Sequence, residues 1–413
     1  MTDALRVVDT EPELAGLSTV FQPIVDLTTG AVVAHEGLTR GPTGAWHCPE
    51  RLFERARSRG RLAELDEYCR QLALATALEA GAEGPSALFL NIEPDGIPLG
   101  PPPPAAVTFL ERGGRIVLEF TERALTSDPA RLQWFATRLR HVGIAVALDD
   151  VGSHPASLAL MGFLCPEVVK LDQRLVRRPL DDDVARVATA VGAYAERNEA
   201  IVLAEGIETA EHERTARALG ATLGQGYRFG RPATLGPAPG TPPPAGPGAP
   251  RSRTPEGPTR RSPLATVART RPLRRGPVEE VRVAATLLEQ RACGAEGPTV
   301  LLASVGPDGL PHGERARRFA AVAEHSTLVT LFGVGTALPR GVRGAALAED
   351  DPLRGEWDVA VVGPHVATAL VARPCGDGEM EYAVVHEPEL VHEVARSLMS
   401  RTVPAPGAAM PGS

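Results

Sequence analysis

The chain has 413 residues, of which 43% are hydrophobic, 4% aromatic and 23% charged, and a formal net charge of −8. That length exceeds what one core usually organises, so two domains are expected, packed mainly with Ala, Val and Leu because aromatics are scarce. The acidic balance gives no reason to expect general binding to nucleic-acid polymers.

Met1–Val20 carries Asp3, Asp9, Glu11 and Glu13 and has neither a basic start nor an apolar centre, so it is not read as a signal peptide. Val20–Leu27 and Val32–Leu38 read as a strand pair turned at Thr29–Gly30. A helical stretch with an apolar face follows from about Pro49 to Ala80, then a strand at Leu88–Ile92. A proline-rich interruption, Pro98 to Pro104, stands where a helix is expected. Arg115–Phe120 is a strand and Pro129–His141 a helix. Ile144–Leu148, Val168–Leu171 and Ile201–Ala204 are further strands, with helices over 181–197 and 210–219, and Gly224–Phe229 closes the series. Such repeated alternation predicts a (β/α)8-type barrel over residues 18–233, made irregular by one antiparallel strand in the opening pair.

From 234 to 277 Pro and Gly dominate, and the part between Pro250 and Pro277 carries eight arginines against one glutamate. The composition predicts a solvated linker that buries too little apolar surface to fold, with a basic arm for anionic partners as the alternative. Order returns with a helix at Glu279–Arg291. Strands follow at Val300–Val305, Leu328–Val334, Trp357–Val362, Val366–Ala372 and Glu381–Val385, and a last helix at Glu389–Met399. A smaller α/β domain over 278–402 is expected, between the linker and a flexible tail at 403–413; residues 1–17 form an N-terminal segment. The five cysteines, Cys48, Cys69, Cys165, Cys293 and Cys375, are odd in number and form no CxxC pair. They read as free thiols of a reducing cytoplasm, and no apolar run is long enough to span a membrane.

Acidic and amide residues end successive strands. Glu36 follows the second strand, Asn91 ends the third, Glu119 the fourth and Asp149–Asp150 the fifth. Lys170 and Asp172 flank Leu171, and Glu205 follows Ala204. Taken singly, an acid after a strand is more often a helix cap or a solvated loop residue. In a parallel barrel, however, the carboxyl ends converge on one face. So many carboxylates gathered there with an amide repel one another unless cations compensate, and oxygen ligands select hard divalent ions such as Mg2+ or Mn2+. Lys170 is the only lysine among 43 basic residues. Its retention points to a task that a bulkier, delocalised guanidinium cannot perform.

The same residues resemble the motifs of the EAL domain family. Phe21-Gln22-Pro23-Ile24-Val25 and Glu36-Gly37-Leu38 with Arg40 look like its opening, with Gly in place of the name-giving Ala. Asn91-Ile92-Glu93-Pro94, Glu119-Phe120-Thr121-Glu122, Asp149-Asp150, Lys170-Leu171-Asp172, Ala204-Glu205-Gly206-Ile207-Glu208-Thr209 and Gln225-Gly226-Tyr227 are similar to its later motifs, in order, over about 18–233. The resemblance implies metal-dependent hydrolysis of cyclic di-GMP to linear pGpG, in a homodimer formed through the barrel. It gives Glu36, Asn91, Glu119 and Asp149 to a first metal ion, and Asp149, Asp150 and Glu205 to a second. Catalytic roles fall to Lys170, Glu205 and Glu36. Arg40 would contact a substrate phosphate, Gln22, Asp66, Asp172 and Gln225 would bind substrate, and Glu122 and Glu208 would support the loop after the aspartates. That loop, Val151-Gly152-Ser153-His154-Pro155-Ala156-Ser157, departs from the family pattern, with Pro155 where an aromatic is usual. The alternative is therefore a weak or silent cyclic di-GMP receptor that signals through the C-terminal domain. This domain resembles the DICT sensory family through Glu356-Trp357-Asp358-Val359, Leu370-Val371-Ala372-Arg373 and Ser397-Leu398-Met399-Ser400-Arg401, with an unknown ligand or protein partner.

Overall fold

The computed structural model describes residues 16–402 apart from 45, 82–85, 94–95, 99, 122–127, 237–249, 253–260, 296, 307–308, 310 and 334–337. The chain divides into two compact units. In the first, β1 (Ser18–Asp26), β2 (Val32–Arg40), β3 (Ala87–Asn91), β4 (Arg115–Phe120), β5 (Ala145–Val151), β6 (Val168–Leu171), β7 (Ile201–Ala204) and β8 (Leu223–Gln225) close into a barrel in that order. β1 is antiparallel to both β2 and β8, and every other pairing is parallel. The single reversed strand is the irregularity expected from the opening pair. Asp26 sets that turn by accepting from the backbone N–H of Thr28 and Thr29 at 2.9 and 2.8 Å, and Gly30 supplies a φ of +74°. Ala34, Ala87, Ala145 and Ala147 pack with Ile24, Phe89, Val117, Val168, Leu203 and Leu223 as a dry interior, in keeping with the low aromatic content.

The single helical stretch expected from about Pro49 to Ala80 is two helices, α1 (Pro49–Ser58) and α2 (Leu62–Glu79), broken where Gly60 adopts φ +67°. The helix missing from the proline run starts at the last proline of that run. α3 (Pro104–Glu111) uses Pro104 in its first turn, where no backbone donor is needed. Next come α4 (Pro129–His141), α5 (Ala156–Leu164), α6 (Gln173–Arg177), α7 (Asp182–Asn198) and α8 (Ala210–Ala218). Neither α5 nor α6 was expected: α5 is apolar all round, with almost every residue buried, and so lacks the amphipathic period that marks a helix.

The second unit takes in residues 128–137, most of α4, and 154–164, which hold α5, and is built on a seven-stranded sheet. Its strands are β9 (Arg274–Pro277), β10 (Val300–Ser304), β11 (Leu328–Phe332), β12 (Arg343–Ala345), β13 (Trp357–Gly363), β14 (Val366–Gly376) and β15 (Glu379–Val385), in the spatial order β12-β11-β10-β13-β14-β15-β9. β10, β11 and β12 run parallel and the remaining pairings are antiparallel. Helices α10 (Val278–Cys293) and α11 (Gly313–His325) cover one face, where Val281, Leu288, Phe319 and Val322 meet alternate residues of β10, β11 and β13. α9 (Pro263–Val267) and α12 (Pro388–Met399) pack on each other and on β14. Here the linker assignment is corrected, because α9 and β9 both lie inside 234–277. Ser262 caps α9, Leu264 and Val267 are buried, and β9 pairs with β15. Elements this short join an existing sheet with a few apolar residues, too few for composition to register. Among the described residues no helix is long and apolar enough to cross a membrane.

Candidate metal centre

The barrel strands bring their polar residues to one end. Glu36 lies in β2, Asn91 ends β3 opposite Glu119 of β4, and Lys170 lies in β6; Glu205 follows β7 and Gln225 ends β8. Adjacent residues of a regular strand point to opposite faces, which would separate Asp149 from Asp150. A bulge between Leu148 and Val151 breaks the register of β5 against β6, and Asp150 adopts φ +54°. Carboxylate oxygens of Asp149, Asp150 and Glu205 thereby lie within 4.8 Å of one another. The Asp150 N–H donates to Asp149 Oδ1 at 2.9 Å and fixes that carboxylate.

Lys170 is fully buried at the centre. Its Nζ lies 2.7 Å from Glu119 Oε1, 2.8 Å from Glu205 Oε1, 3.1 Å from Asp149 Oδ1 and 3.7 Å from Glu36 Oε1. Glu36 is oriented by two amides: Asn91 Nδ2 donates to Oε1 at 3.2 Å and Gln225 Nε2 to Oε2 at 2.7 Å. Gln225 Nε2 also reaches Gln22 Oε1 at 3.4 Å, and Gln22 Nε2 is tied to the Gly230 carbonyl at 3.2 Å. Gln22 and Gln225, expected to bind substrate, thus also position Glu36. Gly226 seats Gln225, since a Cβ there would lie 2.1 Å from the Ile207 carbonyl oxygen. The sequence signal for that close approach was the Gln225-Gly226-Tyr227 motif.

Burial dominates the electrostatics. It drives the Glu119 carboxyl well above its ordinary range against the attraction of Lys170, with Glu36 and Asp149 adding repulsion. Burial likewise pushes Glu205 up to about 8, opposed by Lys170 and reinforced by Asp149 and Glu36. For Glu36 the burial penalty is outweighed by Lys170 and by hydrogen bonds from Gln225 and Asn91, so its carboxyl falls below its usual value. Desolvation alone would make Lys170 less basic, but the surrounding carboxylates raise it well above a normal lysine and keep it an ammonium. The Lys170 ammonium lies within 4 Å of four carboxylates, and Asp150 adds a fifth beside Asp149 and Glu205. Glu119 Oε1 meets Lys170 Nζ at 2.7 Å, while Glu119 Oε2 is buried without a hydrogen-bond donor among the described residues. A buried all-oxygen set with unspent acceptors fits hard divalent ions.

The other predicted site residues have partners of their own. Arg40, half-buried at the end of β2, donates to the Thr39 carbonyl. Asp66 is buried in an ion pair with Arg70 and accepts from the Glu93 N–H. Asp172 caps α6, taking the Arg174 N–H at 2.7 Å. Glu208 pairs with Arg177 at 2.8 Å. Glu122 lies outside the described residues.

A family model described as "EAL domain" matches residues 7–232. Cyclic di-GMP phosphodiesterase NbdA of Pseudomonas aeruginosa is 29% identical over 227 residues, covering 52% of this chain and 29% of that protein. Cyclic di-GMP phosphodiesterase PA2567 of the same organism is 28% identical over 247 residues, covering 56% of this chain and 40% of that protein. The matched segment therefore spans well under half the length of either relative. The manganese and cyclic di-GMP complex of Klebsiella pneumoniae BlrP1 is 26% identical with a TM-score of 0.47, covering 52% of this chain and 56% of that one.

Proposed function

The chain belongs to the EAL domain family, and from that membership we propose that its barrel hydrolyses cyclic di-GMP to linear pGpG with two divalent ions, Mg2+ or Mn2+. What carries the reading is the gathering of Glu119, Asp149, Glu205 and Glu36 around one buried lysine, with Asp150 brought in by the β5 bulge. Glu36, Asn91, Glu119 and Asp149 would hold one ion, and Asp149, Asp150 and Glu205 the other. When bound, such a pair lowers the pKa of a water and offsets charge on the phosphate oxygens.

The protein's own groups position the reaction. Held as an ammonium by its carboxylates, Lys170 acts through charge and orients the attacking water. Once neighbouring cations ionise it, Glu205 has a second carboxylate oxygen that can accept the proton this water loses. The water oxygen bonds to phosphorus, the P–O3′ bond breaks, and the 3′ oxygen leaves as a hydroxyl after taking up a proton from solvent water. Gln225 and Asn91 keep Glu36 in place throughout. Arg40 would pair with a substrate phosphate. Homodimerisation through the barrel, and regulation by the C-terminal unit as a DICT-type sensor, belong to the same proposal.

The test incubates the full chain with cyclic di-GMP and Mg2+ or Mn2+, with a chelator control, and separates products by chromatography. Linear pGpG formed only with metal supports the reading. Tight nucleotide binding without metal-dependent turnover refutes it and makes the protein a receptor.

A further inference from the structure

The sheet of the second unit carries a cavity of about 400 Å3 that no step of the proposed hydrolysis uses. Its walls come from the carboxyl ends of the three parallel strands: Val305 and Gly306 after β10, Phe332 and Gly333 at β11, and Leu347 beyond β12. β13 begins beside the end of β10 and runs the other way, and the turn that leads into it adds Leu353, Arg354 and Glu356. In open α/β sheets, crevices outside the carboxyl ends of strands are where ligands bind, and this volume suits a small metabolite. Gly306 adopts φ +68° and passes tight against the Trp357 ring, where a Cβ would lie 2.6 Å away.

The lining has three chemical parts. Val305, Phe332, Leu347 and Leu353 make it apolar. The Arg354 guanidinium is fixed by donation from Nε to the Ala348 carbonyl and from Nη2 to the Leu347 carbonyl, both at 2.8 Å. Its planar geometry turns the Nη1 donors away from that anchored edge. Glu356, 9% exposed, accepts from the Leu264 N–H at 3.1 Å and from the Ser262 side chain, and a carboxylate has further acceptor positions. A fixed cation, a buried carboxylate and an apolar wall match the carboxylate, ammonium and side chain of one class of molecule. We propose that this cavity binds a free α-amino acid with an apolar side chain, its carboxylate on Arg354 and its ammonium on Glu356. Because binding is read directly, the inference stands apart from the barrel's chemistry.

The experiment titrates the full chain with L-leucine and L-phenylalanine by calorimetry, with thermal unfolding as a second readout. Phenethylamine and 3-phenylpropionate each lack one of the two charges. Both amino acids should bind and stabilise, with each analogue weaker by about tenfold or more. Arg354→Ala removes the carboxylate partner at an exposed position and should cost at least about tenfold, and Leu347→Trp should fill the cavity and abolish binding. No heat and no thermal shift at millimolar amino acid overturns the proposal. So does an analogue that binds as well as the amino acid, or binding unchanged in Arg354→Ala; that variant decides the matter if Leu347→Trp fails to fold.

Discussion

Replacing Lys170 by Met keeps the length of the side chain and removes its charge. Four carboxylate oxygens lie 2.7–3.7 Å from Nζ in a fully buried setting. At an effective dielectric of about 20 each pair attracts with roughly 5 kcal/mol before desolvation is counted. Desolvation and repulsion among the acids consume most of that sum. What remains measurable is the cost of stripping a buried charge set of its partner, about 3–5 kcal/mol. At about 2–4 °C per kcal/mol for a domain of this size, the barrel transition should fall by roughly 6–20 °C in metal-free buffer. Divalent ions replace the lost cation, so saturating Mn2+ should shrink the deficit, and Mn2+ affinity should hold or rise because a repelling ammonium is gone. Hydrolysis should nevertheless drop by about 10²-fold or more, because the group that orients the water is missing. Calorimetric unfolding with and without Mn2+, Mn2+ titration and a pGpG assay check the three parts. A deficit of equal size with and without saturating Mn2+, or weaker Mn2+ binding in the variant, refutes the view of Lys170 as a counter-charge inside a metal site.

Lys170→Arg should lose most turnover although the charge is kept, since a planar guanidinium cannot occupy the space of a compact ammonium; an assay matching the parent protein overturns this. Glu36→Ala should abolish hydrolysis and weaken metal binding while circular dichroism stays unchanged, and near-normal activity would remove Glu36 from the ligand set. Gly226→Ala forces a Cβ toward the Ile207 carbonyl at 2.1 Å and should displace Gln225 from Glu36; a loss of stability of about 1–3 kcal/mol with lower activity is expected, and an unchanged melt rejects it. In the second unit, Glu289 is buried between Arg315 and Arg318 at 2.9 and 2.8 Å. Glu289→Ala should destabilise that unit by about 3–5 kcal/mol, read in denaturant unfolding, with no change in Mn2+ binding by the barrel.

Much of the site is legible in the sequence because a parallel barrel turns order along the chain into proximity. Each strand end is a local signal, and acids in phase with six strands mark a convergent face before any distance is known. Lys170 stands out by composition alone, as the one lysine in an arginine-rich chain. What stayed hidden is either non-periodic or non-local. α5 has no polar face to mark it, Gly60 splits a continuous helical pattern, and α9 and β9 sit in a stretch whose composition reads as solvated.

The sequence by itself determined the alternation of strands and helices, the reversed opening strand and the identity of the acids that end the strands, because hydrophobic period and turn chemistry act over a few residues. Only the tertiary structure decided that Asp150 joins Asp149 on one side of β5, since the register slip that turns it depends on β6, some twenty residues away along the chain. It also decided that Gln225 holds Glu36, a hydrogen bond across 189 positions of sequence that exists because β8 pairs with β1 and closes the barrel. The acids were written in the chain, but the mutual repulsion that makes them a cation site arises only when closure and burial bring them within a few ångströms.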